Sequence, residues 1–319
     1  MGPEVSIHEK VGPDFPKEFH FIKLYNLGST CFINSVLQSL FNTNGVSTFL
    51  HEYKSIIERN ELFDYYENDI FGLFARIYID SQKAIQNEID YYPNLFVDKF
   101  YDHNYRFNKG QQSDSFEFFL HINEVFDRSL QQVKEIFADI ALDKFSDLFR
   151  IYFHTNFYQG MQINESTALS TICIPIQISP SSISGALASW THPPDNSNPK
   201  FVKTLFKLPQ ILVFQTQLFE FNNGKVYKTQ KRMPIQHVIE ISDASCKKTY
   251  VLKSVSVHLG SSVDSGHYIC IFNALGRWIF ADDQDLRPLN HEEYHSFFGN
   301  GVLGSYVDAI PYLFFYEIE

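Results

Sequence analysis

An α+β fold is predicted, and three observations predict it. Apolar residues recur at helical spacing from about residue 21 to about 145. Beyond about 145 the chain breaks into short aromatic and β-branched runs bounded by turn residues, as in a largely antiparallel sheet. Helices followed by strands, rather than their alternation, is the α+β order. The 319 residues include 32 Phe and 18 Tyr and are 44% hydrophobic, enough to bury a large core and too apolar for disorder.

Residues 1–20 are polar with Gly and Pro and are expected to form a flexible lead-in. A helix is expected from Cys31 because Phe32, Val36, Leu37, Leu40 and Phe41 follow at helical spacing, with Ser29 or Thr30 able to cap it. Ile70, Leu73, Phe74, Ile77 and Tyr78 mark a second helix, and Pro93 opens a short one through Phe100. The strongest runs from Asp114 to about Phe137, its apolar face carrying Phe118, Phe119, Ile122, Val125, Phe126, Leu130 and Val133. Strands are expected at Asp147–Phe157, Thr171–Ile178, Gln210–Phe221, Tyr250–His258, Tyr268–Phe272, Arg277–Phe280 and Tyr312–Ile318. Ser182–Trp190 reads as a short helix, Thr191–Pro199 as a loop and Asn222-Asn223-Gly224 as a hairpin turn. The chain has neither repeats nor low-complexity tracts.

The formal charge of −11 argues against nucleic acid and against an anionic membrane surface as partners. No run of about twenty apolar residues is present to span a bilayer, and the first residues do not resemble a signal peptide. Four cysteines (Cys31, Cys173, Cys246, Cys270) stand apart with no C-x-x-C, which suggests neither a zinc ribbon nor a redox dithiol. The expected setting is a reducing one, cytoplasm or nucleus, where a free thiol stays usable.

Cys31 lies in Tyr25-Asn26-Leu27-Gly28-Ser29-Thr30-Cys31-Phe32-Ile33-Asn34-Ser35. A thiol at a helix start feels unpaired N–H groups and the positive dipole end, which favour thiolate. Asn26 supplies an uncharged amide that can face a developing oxyanion. A buried structural cysteine is the competing reading, so a base is needed elsewhere. Among 12 histidines His267 stands out, between Gly266 and a strand-like run. Strands on either side, Tyr250–His258 and Arg277–Phe280, would hold it beside Asp282 or Asp283 to orient its ring. His258, on the neighbouring strand, reads as a packing residue or modulator. A zinc site of His258 with Cys31, His267 and Asp282 lacks any spacing logic.

Together these residues resemble the ubiquitin-specific protease family of papain-like thiol hydrolases. Asn26 to Gln38 resembles its cysteine box, and Gln112-Ser113-Asp114-Ser115-Phe116-Glu117-Phe118 its glutamine/aspartate segment. Leu208 to Gln215 resembles a central strand, Val257–Tyr268 and Trp278–Asp283 the histidine box, and Pro311–Glu317 the closing strand. The resemblance implies one catalytic domain over 21–319. Its thumb would be helical (about 21–145), with palm and fingers of antiparallel sheet (about 146–319). It implies hydrolysis of the bond after the C-terminal glycine of ubiquitin, with Cys31 as nucleophile, His267 as base then acid, Asp282 as orienting carboxylate and Asn26 at the oxyanion. Asp283 is the alternative third member. Asp114 and Glu117, at i, i+3 spacing, would pair with the arginines of the ubiquitin tail, with Gln112 and Tyr268 also lining the tail site.

The sequence departs from the family where many members carry two C-x-x-C pairs for a structural zinc. The stretches Gly160–Thr171 and Thr191–Lys200 have none, so no zinc or other cofactor is expected, and the fingers should be short or held by packing. Ser29 stands where asparagine is usual, Phe116 where glutamine is frequent, and Gln217-Leu218 where Lys-Arg is common. These changes leave a ubiquitin-like modifier as an alternative partner, and a non-catalytic binding module as another reading. A regulatory protein partner is also compatible with the sequence.

Overall fold

The computed structural model describes residues 22–319 except 84–89, 92, 103–105, 137–141, 160–161, 179–181, 194–199, 223, 261–265 and 307. The expected lead-in of residues 1–20 lies outside the described residues. A short strand, β1 (Lys23–Leu24), leads into α1 (Cys31–Phe41), α2 (Asn44–Arg59), α3 (Phe63–Asn68) and α4 (Ile70–Lys83). Then come β2 (Asp90–Tyr91), parallel to β1, α5 (Asn94–Asp102) and the long α6 (Ser115–Ile136). The apolar positions that mark α4 and α6 in the sequence are buried, including Ile70, Phe74, Phe118, Ile122 and Leu130. Phe74 lies 4.7 Å from Phe126 and 5.0 Å from Phe41, ring centre to ring centre, at the heart of an aromatic core.

After a 3₁₀ turn at Phe145–Leu148 follow β3 (Ile151–Gln159), β4 (Gln162–Thr171), β5 (Ile174–Ile176), α7 (Ile183–Thr191), β6 (Phe201–Lys207) and β7 (Ile211–Thr216). Next are β8 (Phe219–Asn222), β9 (Lys225–Lys228), β10 (Val238–Ser242), β11 (Lys247–Leu259), β12 (His267–Ala274) and β13 (Arg277–Asp282). The chain closes with β14 (Asp285–Pro288), α8 (His291–Asn300) and β15 (Ile310–Ile318). The main sheet runs β14-β13-β12-β11-β15-β7-β5 with β10 also on β11, and only the β5–β7 pair in it is parallel. A second sheet, β4-β3-β6, and the β8–β9 hairpin stand apart from it.

Several expected boundaries move for local reasons. Asp147–Phe157 begins inside the 3₁₀ turn, so its strand forms only from Ile151. Of Thr171–Ile178 only Ile174–Ile176 pairs in the main sheet, while Thr171 ends β4. Gln210–Phe221 is two strands, interrupted where the Gln217 N–H turns to the Ile176 carbonyl at 3.0 Å. Asn222 belongs to β8 and Gly224 sits in a turn at φ +77°, while residue 223 of the expected turn lies outside the described residues. Thr191 closes α7, capped at its start by Ser182, and residues 194–199 of the expected loop lie outside the described residues. Helix α8 goes unmarked in the sequence reading although Asn290 and Glu293 form a reciprocal capping box.

Helix α1 is buried on every face, between α6 and the main sheet. Its side toward β11 is made of small polar groups: Ser256 Oγ meets Ser35 Oγ at 3.2 Å, and Ser254 Oγ donates to the Ser39 carbonyl at 3.3 Å. Small, hydrogen-bonded side chains let the helix lie close on the sheet with these hydroxyls satisfied. On its other side Phe32 stacks on Phe107 and meets the edge of Phe118. This packing fixes the direction in which Cys31, its first residue, faces β12.

Candidate active site

The turn before Cys31 is wound by two left-handed residues, Gly28 (φ +93°) and Ser29 (φ +58°). Asn26 organises it: its Oδ1 accepts from the N–H groups of Gly28 and Thr30, both at 3.1 Å. The expected side-chain cap on α1 does not form. Thr30 occupies the N-cap position, but its hydroxyl accepts from the Leu27 N–H at 2.9 Å instead. The first-turn N–H groups beside Cys31 are thus not consumed by a capping side chain.

With its oxygen committed, the Asn26 amide nitrogen must face the other way, and it donates to Asp283 Oδ2 at 2.9 Å. The other carboxylate oxygen of Asp283 accepts from Asn34 Nδ2 at 2.8 Å. Asp283 sits at φ +52°, past the end of β13, so its side chain leaves the direction that Asp282 keeps. Burial pushes the Asp283 carboxyl up, and the two amides and His267 oppose that shift. Asp283 is therefore not the partner of His267.

That partner is Asp282, whose Oδ1 lies 2.5 Å from His267 Nε2. The Cys31 thiol also acts on this imidazole, and with Nε2 committed to Asp282 the nitrogen left to face it is Nδ1. The hydrogen bond to Asp282 and then the neighbouring Cys31 thiol push His267 up to about 10, against the opposing effect of burial. β11, β12 and β13 are adjacent, so the expected trio of strands is what brings His267 and Asp282 together. Gly266 is set by space: a Cβ there would collide with Nε2 of His258 and lie 2.7 Å from the Leu259 carbonyl.

His258 is 5% exposed, edge-on to Tyr268, and burial first, then Lys228 and His267, pull it down to about 4. It packs behind His267. Gln112 Oε1 accepts from the Gly266 N–H at 2.9 Å, placing this residue against the chain that enters His267. Asp114 is half-buried with both oxygens engaged. Oδ1 caps α6 through the N–H groups of Phe116 and Glu117, and Oδ2 accepts from Tyr312 at 2.7 Å and Tyr268 at 3.3 Å. Glu117 is exposed one turn along. Asn34 escapes the sequence reading of the site, although a carboxamide three residues after Cys31 on a wholly buried helix is a signal for such a tether.

Among the described residues His267, Asp282 and Asp283 are close enough to share a metal ion. Their oxygens, however, are taken up: both of Asp283 by amide N–H groups and Oδ1 of Asp282 by the imidazole.

A sequence model described as ubiquitin carboxyl-terminal hydrolase matches residues 22–316. Ubiquitin carboxyl-terminal hydrolase 4 of Arabidopsis thaliana is 23% identical over 377 residues, covering 99% of each chain. Ubiquitin carboxyl-terminal hydrolase 12 of Salmo salar is 24% identical over 362 residues, covering 99% of this chain and 95% of its own. Among solved structures, the SAGA Ubp8/Sgf11/Sus1/Sgf73 DUB module bound to ubiquitin aldehyde has a chain of like fold. Its TM-score is 0.71 at 18% identity, covering 96% of this chain and 71% of that one. The same module bound to monoubiquitin gives a TM-score of 0.68 at 18% identity, covering 99% and 73%.

Proposed function

Because the chain belongs to the ubiquitin carboxyl-terminal hydrolase family, we propose that it hydrolyses the bond after the C-terminal glycine of ubiquitin through Cys31, His267 and Asp282. The broader class, a cysteine-type deubiquitinating enzyme, follows from the family itself. The finer reading rests on one observation: the His267 imidazole is hydrogen-bonded to Asp282, with the Cys31 thiol as the second group raising its pKa.

In this reading the Cys31 thiolate attacks the glycine carbonyl carbon, and the carbonyl oxygen takes the charge. Asn26 Nδ2 has a second N–H beyond the one given to Asp283, and the N–H of Cys31 lies at the helix start; both serve the oxyanion. The His267 imidazolium gives its proton to the leaving amine, which departs and leaves a thioester on Cys31. Water, deprotonated by His267, cleaves the thioester and returns the thiolate. Asp282 keeps the ring oriented through both halves. Glu117 and Asp114 attract the tail arginines, and Gln112 and Tyr268 wall the glycine channel, which only residues without side chains can thread.

A second reading, a ubiquitin-like modifier, draws support from the finger sheet. β4 is exposed along nearly its whole length, and its hairpin with β3 has no cysteine pair to clamp it. Bracing comes from α7, where Trp190 packs 5.1 Å from Phe153 beneath Lys203. We assign these fingers no zinc, and place the enzyme in cytosol or nucleus, where its described cysteines, all free, stay reduced.

Steady-state cleavage of fluorogenic C-terminal amides of ubiquitin and of ubiquitin-like modifiers tests this. Turnover of ubiquitin is expected to vanish in Cys31→Ala and His267→Ala and to fall by about 10² in Asn26→Ala. Cleavage of another modifier in preference to ubiquitin selects the second reading, and full activity of Cys31→Ala removes both.

A further inference from the structure

Lys228 ends β9 with its side chain buried, only 7% exposed. Its Nζ donates to three backbone carbonyls: His258 at 3.2 Å, Gly260 at 2.5 Å and Asp308 at 2.8 Å. An ammonium has three N–H groups, and each has an acceptor here. Burial holds this lysine down to about 8, with Arg232 adding to the drop and Asp308 opposing it. A buried cation solvated by carbonyl dipoles is costly to install. The hydrolysis makes no direct use of its charge, so its role lies in what the charge ties together.

The three carbonyls belong to the end of β11, to Gly260 just beyond it and to the approach to β15. The chain leaving β11 there returns as β12, whose first residue is His267. The entry to β12 is fixed as well, since the Gly266 N–H is held by Gln112 and Gly266 itself is seated on the His258 ring. His258 is the residue whose carbonyl Lys228 grips. A continuous path thus runs from Lys228 through the end of β11 and the His258 ring to Gly266 and His267.

We propose that Lys228 is a positioning residue for His267, its ammonium setting where the chain leaves β11 and hence where the imidazole meets Cys31. The proposal rests on the reading of His267 as the base of a thiol hydrolase.

The test uses Lys228→Met, which keeps the aliphatic stem and removes all three donors. Alkylation of Cys31 by iodoacetamide, followed by mass spectrometry of its peptide, is measured against pH beside thermal unfolding and ubiquitin-amide hydrolysis. The pH of half-maximal alkylation is expected to rise toward that of His267→Ala. In parallel kcat falls by about 10- to 10²-fold, while KM changes by less than about threefold. An unmoved alkylation profile overturns the proposal even where kcat falls. Should Lys228→Met fail to fold, Lys228→Gln, which keeps amide donors without charge, is expected to show a smaller rise of the same sign over wild type. Failure of both variants to fold makes Lys228 a folding residue only, and overturns the proposal. Iodoacetamide needs no modifier, so a wild type inert toward ubiquitin would sink the functional reading while the alkylation arm still decides the role of Lys228.

Discussion

His267 holds its proton more tightly than a free imidazole because Asp282 sits on one ring nitrogen and the Cys31 thiol adds to the effect. Its folded pKa, about 10, lies above the ordinary 6.5, so the protonated pair stabilises the fold fully below pH 6.5. That contribution is lost as pH rises through about 10. The difference in Tm between wild type and His267→Ala should be widest below pH 6.5 and close above 10; a difference growing toward alkaline pH contradicts the pairing. The flanking residues show what sequence reveals at this scale. Cys31, His267 and Asn26 are legible because each sits beside a glycine or a turn that serves its chemistry. The division of labour between Asp282 and Asp283 is not, since it depends on a left-handed backbone that aspartate tolerates but that nothing in the sequence assigns to Asp283 rather than to Asp282. Nor does the sequence foretell that Asn26 and Asn34 converge on Asp283 from opposite sides.

Helix α1 carries Cys31, the proposed nucleophile, and its neighbours decide how firmly it is held. Directly after it, the first turn of α2 is capped by a side chain from the far end of the chain. Glu317, 2% exposed on β15, accepts from the N–H groups of Asn44 (3.0 Å) and Gly45 (2.5 Å), with Lys253 3.5 Å away. Glu317→Ala strips two backbone N–H groups and a half-buried lysine of their acceptor. It should lower stability by about 2–3 kcal/mol in denaturant unfolding, with Glu317→Gln losing less. A loss under about 0.5 kcal/mol would show that water replaces the carboxylate without penalty. Helices α4 and α6 are legible because their period determines which face is buried. Strands β11 to β13, buried on both faces over much of their length, are legible because aromatic and β-branched residues run together there. The anchoring of α2 is not, because a carboxylate 273 residues away supplies what local capping residues usually do. The split between β7 and β8 likewise follows from a hydrogen bond to β5 that only the folded sheet defines.

Across the whole molecule, the site joins residue 31 of the helical part to residues 267 and 282 of the sheet, so neither part holds it entire. The α+β order read from the sequence survives intact because two large apolar layers, one helical and one pleated, can bury their faces only against each other. The net charge of −11 complements the basic tail of a ubiquitin-type substrate. The most direct measurement is peptide mapping of the adduct formed with ubiquitin bearing a C-terminal thiol-reactive alkyne. One adduct, on Cys31, absent in Cys31→Ala and slower in Asp282→Ala, is the result this account predicts. An adduct on Cys173, Cys246 or Cys270, or equal labelling of Cys31→Ala, would contradict it.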